Sequence, residues 1–375
     1  MVFAGVALIA TCYGFPRFAW GLFAPRISAE FALSARLSGL IGSGSYVGYC
    51  LAIGVSAVLT SRWGPRRVAV LAGAVATAGI AVVASASSAT VLAVGVLVAG
   101  SSTGIASPPL AAAVARWVRA GVRDTAQTVV NAGTGIGVMV SGPVALVLVD
   151  RWRLAWWLFA ALAALVTGWV ALAVPAGGRA VADDGDQGRL WDAGSARLLL
   201  AAFVMGLASI AVWTFGQDVV SLNSRVGWLP PVVWTVIGAA GLVGAFSGPV
   251  VDRLGIPTSW SVLMVLLAAG TAGLAAGAAV PLAALLAGAA FGGSYIALTG
   301  VLLVWSTRTY STRPALGVGL AFLMIAVGQA VGAPLVGVGS DLVSLPAVCY
   351  GCALVALGGA CVREPRAVPG HPAAG

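Results

Sequence analysis

The chain has 375 residues, of which 60% are hydrophobic and only 8% are charged, whereas about a quarter of an average soluble domain is charged. This composition excludes an ordinary water-soluble domain and predicts that lipid solvates most of the chain. The formal charge of +9 comes from 20 arginines that stand singly between apolar runs, which is not the clustered pattern of a nucleic-acid-binding surface.

Twelve apolar stretches follow one another along the chain, each bounded by arginine, aspartate, proline or a polar turn. Because about 20 helical residues cross the hydrocarbon core of a bilayer, the sequence predicts an all-α membrane protein with twelve transmembrane helices. The predicted spans are 2–24, 36–59, 68–86, 91–114, 127–149, 155–174, 198–220, 232–251, 259–279, 282–306, 317–339 and 346–362.

A hydrophilic segment divides these spans into six and six. It contains glycine, aspartate and arginine without helical periodicity, which is typical of a linker. We expect an N-terminal six-helix bundle over 1–174, a cytoplasmic linker over 175–197, a C-terminal six-helix bundle over 198–362 and a flexible cytoplasmic tail over 363–375.

The distribution of arginines predicts the orientation in the membrane. If the N-terminus is cytoplasmic, fourteen of the 20 arginines lie in inner loops and Arg17 lies inside span 1. The other five lie in outer loops and are Arg26, Arg36, Arg151, Arg153 and Arg225. Since basic loops stay on the cytoplasmic side, we expect a multi-pass protein of the cell inner (plasma) membrane with both termini in the cytoplasm.

Residues for enzymatic or metal chemistry are scarce. The five cysteines lie in or beside apolar stretches, where a thiol behaves as a small hydrophobe, and the single histidine, His371, lies in the tail. A phosphate-binding GxxxxGK[ST] run is absent from the sequence. The sequence therefore predicts no metal, no cofactor and no catalytic residue, so we expect that the protein is not an enzyme.

An internal repeat connects the two halves. A shift of 191 residues superimposes Gly64 on Gly255, Pro143 on Pro334, and Asp150 on Asp341. One offset shared by separate loops and helices indicates a tandem duplication. Parallel repeats of this kind place a substrate cavity between two bundles that rock against each other.

Two loops carry related motifs. The loop after span 8 reads GPVVDRLGIP, with Gly248, Asp252, Arg253 and Gly255 at positions 1, 5, 6 and 8. The loop after span 2 reads AVLTSRWGPRR and contains Arg62, Gly64, Arg66 and Arg67. Over essentially its whole length, the chain resembles the major facilitator superfamily, whose loop signature has this pattern. The resemblance implies two six-helix bundles and loops whose charge contacts hold the outward-facing state.

The loop after span 2 departs from the signature. Ala57 and Ser61 stand where the family usually has glycine and aspartate, so we expect the loop of the second half to be the working copy. The segment GFPRFAWGLFAP, with its arginine-phenylalanine pair, also resembles the YbfB/YjiJ-like branch of bacterial permeases.

Span 5 contains a further family motif. Gly133, followed after eight residues by Gly142 and Pro143, resembles the antiporter motif of the superfamily. Close helix packing is the alternative explanation, because glycine lets helices approach and proline permits a bend. Val96 stands where drug antiporters of the family often carry arginine, so the resemblance to proton-linked efflux is incomplete. Pro143 and Pro334 are candidate hinges or static kinks.

A charged residue lies deep in span 1. Tyr13, Arg17 and Trp20 share one helical face, and a charge at this depth costs at least about 2.5 kcal/mol if it faces lipid. Asp218, near the outer end of span 7, is the only acid within the spans. We hypothesise that Arg17 and Asp218 interact at the outer mouth of the cavity. Alternatively, Asp218 faces water and Arg17 extends to the interface.

Polar and aromatic side chains on other spans complete the predicted cavity and favour planar or amphipathic ligands. For each one, a hydrogen bond between helices is the alternative role. They are Tyr46, Tyr49, Gln127, Asn131, Thr134, Trp213, Gln217, Ser294, Tyr295, Thr299 and Gln329.

These features predict a secondary transporter of a small organic solute that works by alternating access, with protons as the candidate coupling ion and efflux as the favoured direction. Uncoupled or proton-symport uptake remains the alternative, followed by a multipass membrane enzyme or a non-transporting sensor. We expect a monomer in the lipid bilayer. The sequence does not identify the substrate.

Overall fold

The computed structural model describes residues 1–176, 194–224, 226–277, 280–310 and 314–362, and within these ranges the chain is helical and has no β-strand. The α-helices of the first half are α1 Val2–Ile9, α2 Ala19–Phe31, α3 Ala35–Trp63, α4 Pro65–Ala84, α5 Ala89–Trp117, α6 Arg123–Leu148 and α7 Trp152–Ala173. Those of the second half are α8 Ser195–Asn223, α9 Leu229–Gly241, α10 Ser247–Gly277, α11 Pro281–Thr309, α12 Pro314–Leu342 and α13 Leu345–Gly359. Most of the predicted linker and the predicted tail lie outside the described residues.

Over the residues that the structure describes, each of the twelve predicted spans lies mostly in helix. Among the described residues, nine helical segments are long and apolar enough to cross a membrane. One of them, Thr125–Ala173, contains predicted spans 5 and 6, and two shorter apolar helices, Leu229–Gly244 and Leu345–Gly359, correspond to spans 8 and 12. The fold is therefore that of an all-α membrane protein, while the count of twelve stays a prediction.

Two connections are shorter than the sequence predicts. Spans 2 and 3 are joined by Gly64 alone, since α3 ends at Trp63 and α4 begins at Pro65. The predicted loop between spans 8 and 9 is likewise shortened to a kink at Gly255, where two helical segments of α10 meet. A single glycine suffices because it adopts positive φ values that other residues avoid.

Short connections make successive long helices antiparallel, and this defines two ends of the molecule. Glu30, Arg36, Asp150 and Asp341 lie at one end, here called the Glu30 end. The other, here called the Arg62 end, carries exposed arginines at the ends of α3, α5, α11 and the start of α6. They include Arg62, Arg116, Arg123 and Arg308.

The main contacts between the two halves join α3 with α12, α6 with α9, and α2 with α8. Their backbones touch near the Glu30 end. A Cβ atom added at Gly21 would lie 2.1 Å from the carbonyl oxygen of Trp213, and one at Gly39 would lie 2.6 Å from that of Ala333. No described glycine makes such a contact between the halves close to the Arg62 end. This conformation is therefore closed at the Glu30 end.

Candidate functional site

Arg17 lies on an unusual turn of the first span. Between α1 and α2, residues Ala10–Phe18 form a π-helix that contains Pro16. Proline cannot donate the backbone hydrogen bond of a regular α-helix, and π-helical turns are rare and frequent at functional sites. The wide turn interrupts the predicted first span, which the sequence presents as one continuous helix.

Backbone contacts hold this π-helix against α6. A Cβ atom at Gly14 would lie 2.4 Å from the Cα of Gly137, and one at Gly137 would lie 2.1 Å from the carbonyl oxygen of Ala10. Gly133 packs in the same way, because its added Cβ would lie 2.4 Å from the carbonyl oxygen of Val6. The glycines of span 5 therefore have a direct packing role.

Gly142 faces the other half of the molecule. An added Cβ there would lie 2.1 Å from the Thr235 Oγ1 atom and 2.7 Å from the carbonyl oxygen of Pro231, both on α9. The antiporter-like motif thus packs α6 against its own half through Gly133 and against the second half through Gly142. Pro143 and Pro334 both lie inside helices, and their role as hinges stays a prediction.

Aromatic rings surround the Arg17 guanidinium, whose side chain is buried with 4% exposure. Its Cζ atom lies 5.0 Å from the ring centroids of both Tyr46 and Tyr49 on α3. The rings of Tyr13 and Phe18 follow at 5.5 Å and 5.2 Å. All four distances fall within the range of cation–π attraction.

A hydrogen-bond chain connects Arg17 to the second half. Its Nη2 atom donates to Gln329 Oε1 on α12, and Gln329 Nε2 donates to the Tyr295 hydroxyl at 3.0 Å. All three side chains are buried. Arg17 therefore joins the two halves through a hydrogen bond, as expected for a residue that faces a central cavity between them.

The hypothesised pair of Arg17 and Asp218 does not form in this conformation. Asp218 is half-buried on α8, and the ion pairs among the described residues join Arg26 to Asp150 and Arg153 to Glu30. Both of those pairs lie at the Glu30 end. The described partner of Arg17 is instead the neutral amide of Gln329.

A small cavity of about 20 Å³ lies beside Arg17 between the two halves. Six predicted residues line it: Tyr13, Arg17, Asn131, Thr134, Tyr295 and Thr299. Sequence reasoning missed its apolar lining, Phe18, Ile296, Phe322 and Ile325. The repeat could have indicated two of these, because Asn131 and Thr134 superimpose on Phe322 and Ile325 at the offset of 191 residues.

The other predicted cavity residues lie around this centre. Trp213 packs against Phe18 and Tyr295, with centroid distances of 4.1 Å and 5.0 Å. The Nε1 atom of Trp20 and the Oε1 atom of Gln217 are buried without a hydrogen-bond partner. Ser294 donates to its own helix, and Gln127 lies one turn from Asn131 toward the Arg62 end.

Residues 6–315 match the model of the Major Facilitator Superfamily. The chain belongs to this superfamily. The fold is also similar to crystal structures of the nucleoside transporter NupG, with TM-scores of 0.78 for a mutant and 0.74 for NupG itself, at 12% sequence identity in each case. Each alignment covers 96% of this chain, and they cover 100% and 96% of the NupG chains. Among curated proteins, no sequence matches this chain.

Membership of the Major Facilitator Superfamily makes this chain a multi-pass membrane transporter and confirms the prediction that it is not an enzyme. At 12% identity, the likeness to NupG shows the fold alone. The narrower resemblance to the YbfB/YjiJ-like branch stays a prediction.

The superfamily loop signature lies at the Arg62 end in both halves. Arg62, Arg67 and Arg253 are exposed, and Arg66 is half-buried. Gly64 and Gly255 interrupt the helices there. Gly248 lies in α10, and its surroundings and the side chain of Asp252 fall outside the described part, so the expected contacts of Asp252 stay a prediction.

Proposed function

We propose that this chain is a secondary transporter that moves a small organic solute across the membrane by alternating access. The observation that carries the proposal is the cavity beside Arg17, which lies between the halves and is lined by residues of both. A site between two rocking halves can open to each side of the membrane in turn. At about 20 Å³ the cavity is too small for an organic solute, so binding requires the halves to separate.

In the proposed orientation, the protein spans the cell inner (plasma) membrane and its Arg62 end faces the cytoplasm. Its support is the excess of arginines in the loops at that end. In this orientation the described conformation is closed to the outside. The orientation can be tested with a membrane-impermeant maleimide and two variants, Arg67→Cys and Leu342→Cys, each made in a background without the five native cysteines. Labelling of the cysteine at position 342 alone in intact cells supports it, and the reverse pattern contradicts it.

The transport activity itself is tested in proteoliposomes. Vesicles containing the purified chain and loaded with an unlabelled solute should accumulate the same radiolabelled solute by counterflow, for at least one member of a panel of organic acids, nucleosides, sugars, amino acids and cationic drugs. Vesicles without protein are the blank, and Gly168→Ala is the control variant, because Gly168 is exposed on α7 with no atom within 4 Å of an added Cβ. Failure across the whole panel supports a sensor that does not transport.

For coupling, we propose proton-linked antiport, with uncoupled movement or proton symport as the competing modes. The support is the motif of Gly133, Gly142 and Pro143 together with Asp218, a half-buried acid able to exchange a proton. Everted vesicles that have been acidified should recover their pH when a transported solute is added. Unchanged pH supports uncoupled movement, and further acidification supports symport.

The proposed organisation has two six-helix bundles, 1–174 and 198–362, joined by a cytoplasmic linker. We also propose that the monomer is the functional unit, since the two halves of a single chain supply both sides of the cavity. Light scattering of the protein in detergent, with the detergent mass subtracted, checks the monomer against its sequence mass of 37.2 kDa.

A further inference from the structure

We infer that the solute of the proposed transporter is a monoanion with a flat apolar body, such as an aromatic carboxylate, and that Arg17 binds its negative charge. The inference rests on the proposed transport function and adds the substrate class. It follows from the charge and the lining of the cavity.

The first argument is that Arg17 is a buried cation without a described anion. Its side chain is 4% exposed, its Nη2 atom bonds to a neutral amide, and its Nε atom is buried without an acceptor. A buried charge is strongly unfavourable unless an opposite charge or a full set of hydrogen bonds compensates it. The ring faces, one amide oxygen and the hydroxyl of Tyr46, which also interacts with Arg17, offset only part of this cost, so the site is incomplete without an anion.

No described acid is available to supply that charge. Glu30 accepts hydrogen bonds from Trp152 and Arg153, at 2.6 Å and 2.5 Å, far from Arg17 at the Glu30 end. Asp150 pairs with Arg26, and Asp341 is exposed at the same end. Asp218 makes no ion pair with Arg17. A ligand is therefore the natural source of the anion.

The second argument concerns the number of charges and the shape of the ligand. Among the described residues that line the cavity, Arg17 alone is charged, so it neutralises one negative charge and leaves a second one uncompensated. Phe18, Tyr295 and Phe322 present rings to the same space, which suits a flat apolar body. Asn131 and Thr134 on α6 provide hydrogen-bonding groups to the same space.

A cationic ligand fits this site poorly. Aromatic rings can bind a cationic ligand through their faces, but here the guanidinium of Arg17 already lies near the rings of Tyr13, Tyr46 and Tyr49. A second cation would be repelled by Arg17. A planar carboxylate instead matches the guanidinium fork with two parallel hydrogen bonds.

The test measures binding of matched ligands to the purified full chain by calorimetry. The probes are benzoate, 2-naphthoate and indole-3-acetate, each compared with its neutral amide and its amine. At least one carboxylate should bind, and its amide and amine should bind about tenfold to hundredfold more weakly, the range expected for loss of a charged hydrogen bond. Equal binding of acid and amide, or no binding of any carboxylate, would overturn the inference.

Variants at two positions separate binding from folding. Arg17→Gln should abolish the preference for the carboxylate over the amide. Gln329→Glu places a carboxylate beside Arg17, so it should raise the melting temperature while it blocks carboxylate binding. Gln329→Met is the matched control, because it removes the acceptor without adding charge. Its affinity for the carboxylate should fall far less than that of Gln329→Glu. Unimpaired carboxylate binding by Gln329→Glu would contradict the inference.

Failure of the inference is distinguishable from failure of the transport proposal. Counterflow of a neutral or cationic solute that persists in Arg17→Gln supports transport and rejects the monoanion. Carboxylate binding that depends on Arg17, without counterflow of any solute, supports the anion site and rejects transport.

Discussion

Gly64 and Gly255, which are 191 residues apart, have the same backbone conformation, with φ and ψ of 82° and 159° at Gly64 and 75° and 160° at Gly255. This region is essentially restricted to glycine. The two positions break the helices at the same end of the molecule. The two halves that the sequence repeat relates therefore share the same glycine-specific backbone conformation at equivalent positions.

Alanine at either of these glycines should destabilise the protein. We expect Gly64→Ala and Gly255→Ala each to cost about 1–3 kcal/mol, because a Cβ atom is strained at this φ and ψ. Thermal unfolding in detergent measures the change. Gly168→Ala is the control, since Gly168 is helical and exposed, and alanine there should leave stability unchanged or raise it slightly. Equal melting temperatures for all three variants would mean that the strain is absent.

The contact between α2 and α8 should decide which end of the cavity is closed. An added Cβ at Gly21 would lie 2.1 Å from the carbonyl oxygen of Trp213, so Gly21→Ala should push the halves apart at the Glu30 end. The readout is the maleimide labelling rate of a cysteine that replaces the buried Gln217, in a background without native cysteines. We expect faster labelling in Gly21→Ala. An unchanged rate in a folded variant, with Gly168→Ala as control, would show that this contact does not hold the closed state.

The two ion pairs at the Glu30 end should differ in their contribution to stability. Glu30 accepts hydrogen bonds from Arg153 and from the indole of the buried Trp152, whereas Asp150 is 83% exposed at 3.6 Å from Arg26. We expect Glu30→Gln to cost about 1 kcal/mol, because its ion pair is half-exposed and screened, and Asp150→Asn to cost almost nothing. Thermal unfolding at low and high salt checks both. If the loss in Glu30→Gln is insensitive to salt, the contribution is not electrostatic.

The hydroxyl and the ring of Tyr13 should have separable roles. The hydroxyl forms a hydrogen bond of 2.7 Å with Ser107 Oγ, and the ring lies 5.5 Å from the Arg17 guanidinium. Tyr13→Phe should cost about 1 kcal/mol of stability, the net value of one hydrogen bond. Tyr13→Leu also removes the ring face, so its melting temperature should be lower still. The same melting temperature for both variants would exclude a contribution from the ring.

Some of the candidate site was predictable because its signals are local in the chain. An arginine within an apolar span must face a cavity or a partner, and this identified Arg17 together with Tyr13. Helical spacing placed Asn131 and Thr134 on one face of α6, and both line the cavity. The apolar lining was missed because Phe322 and Ile325 look like any other residues of a lipid-facing helix.

The sequence by itself indicated that lipid solvates most of the chain, that the two halves are repeats, and that the chain resembles its superfamily. Hydropathy, the repeat offset and the loop motifs carry this information, because each can be read along the chain without knowing which helices touch. Tertiary structure alone decided that Arg17 bonds to Gln329 rather than to Asp218, that Ala10–Phe18 widen into a π-helix, and that the Glu30 end is closed. These features depend on contacts between residues as much as 312 positions apart. Such contacts are fixed by the packing of helices against one another, which local sequence patterns do not encode.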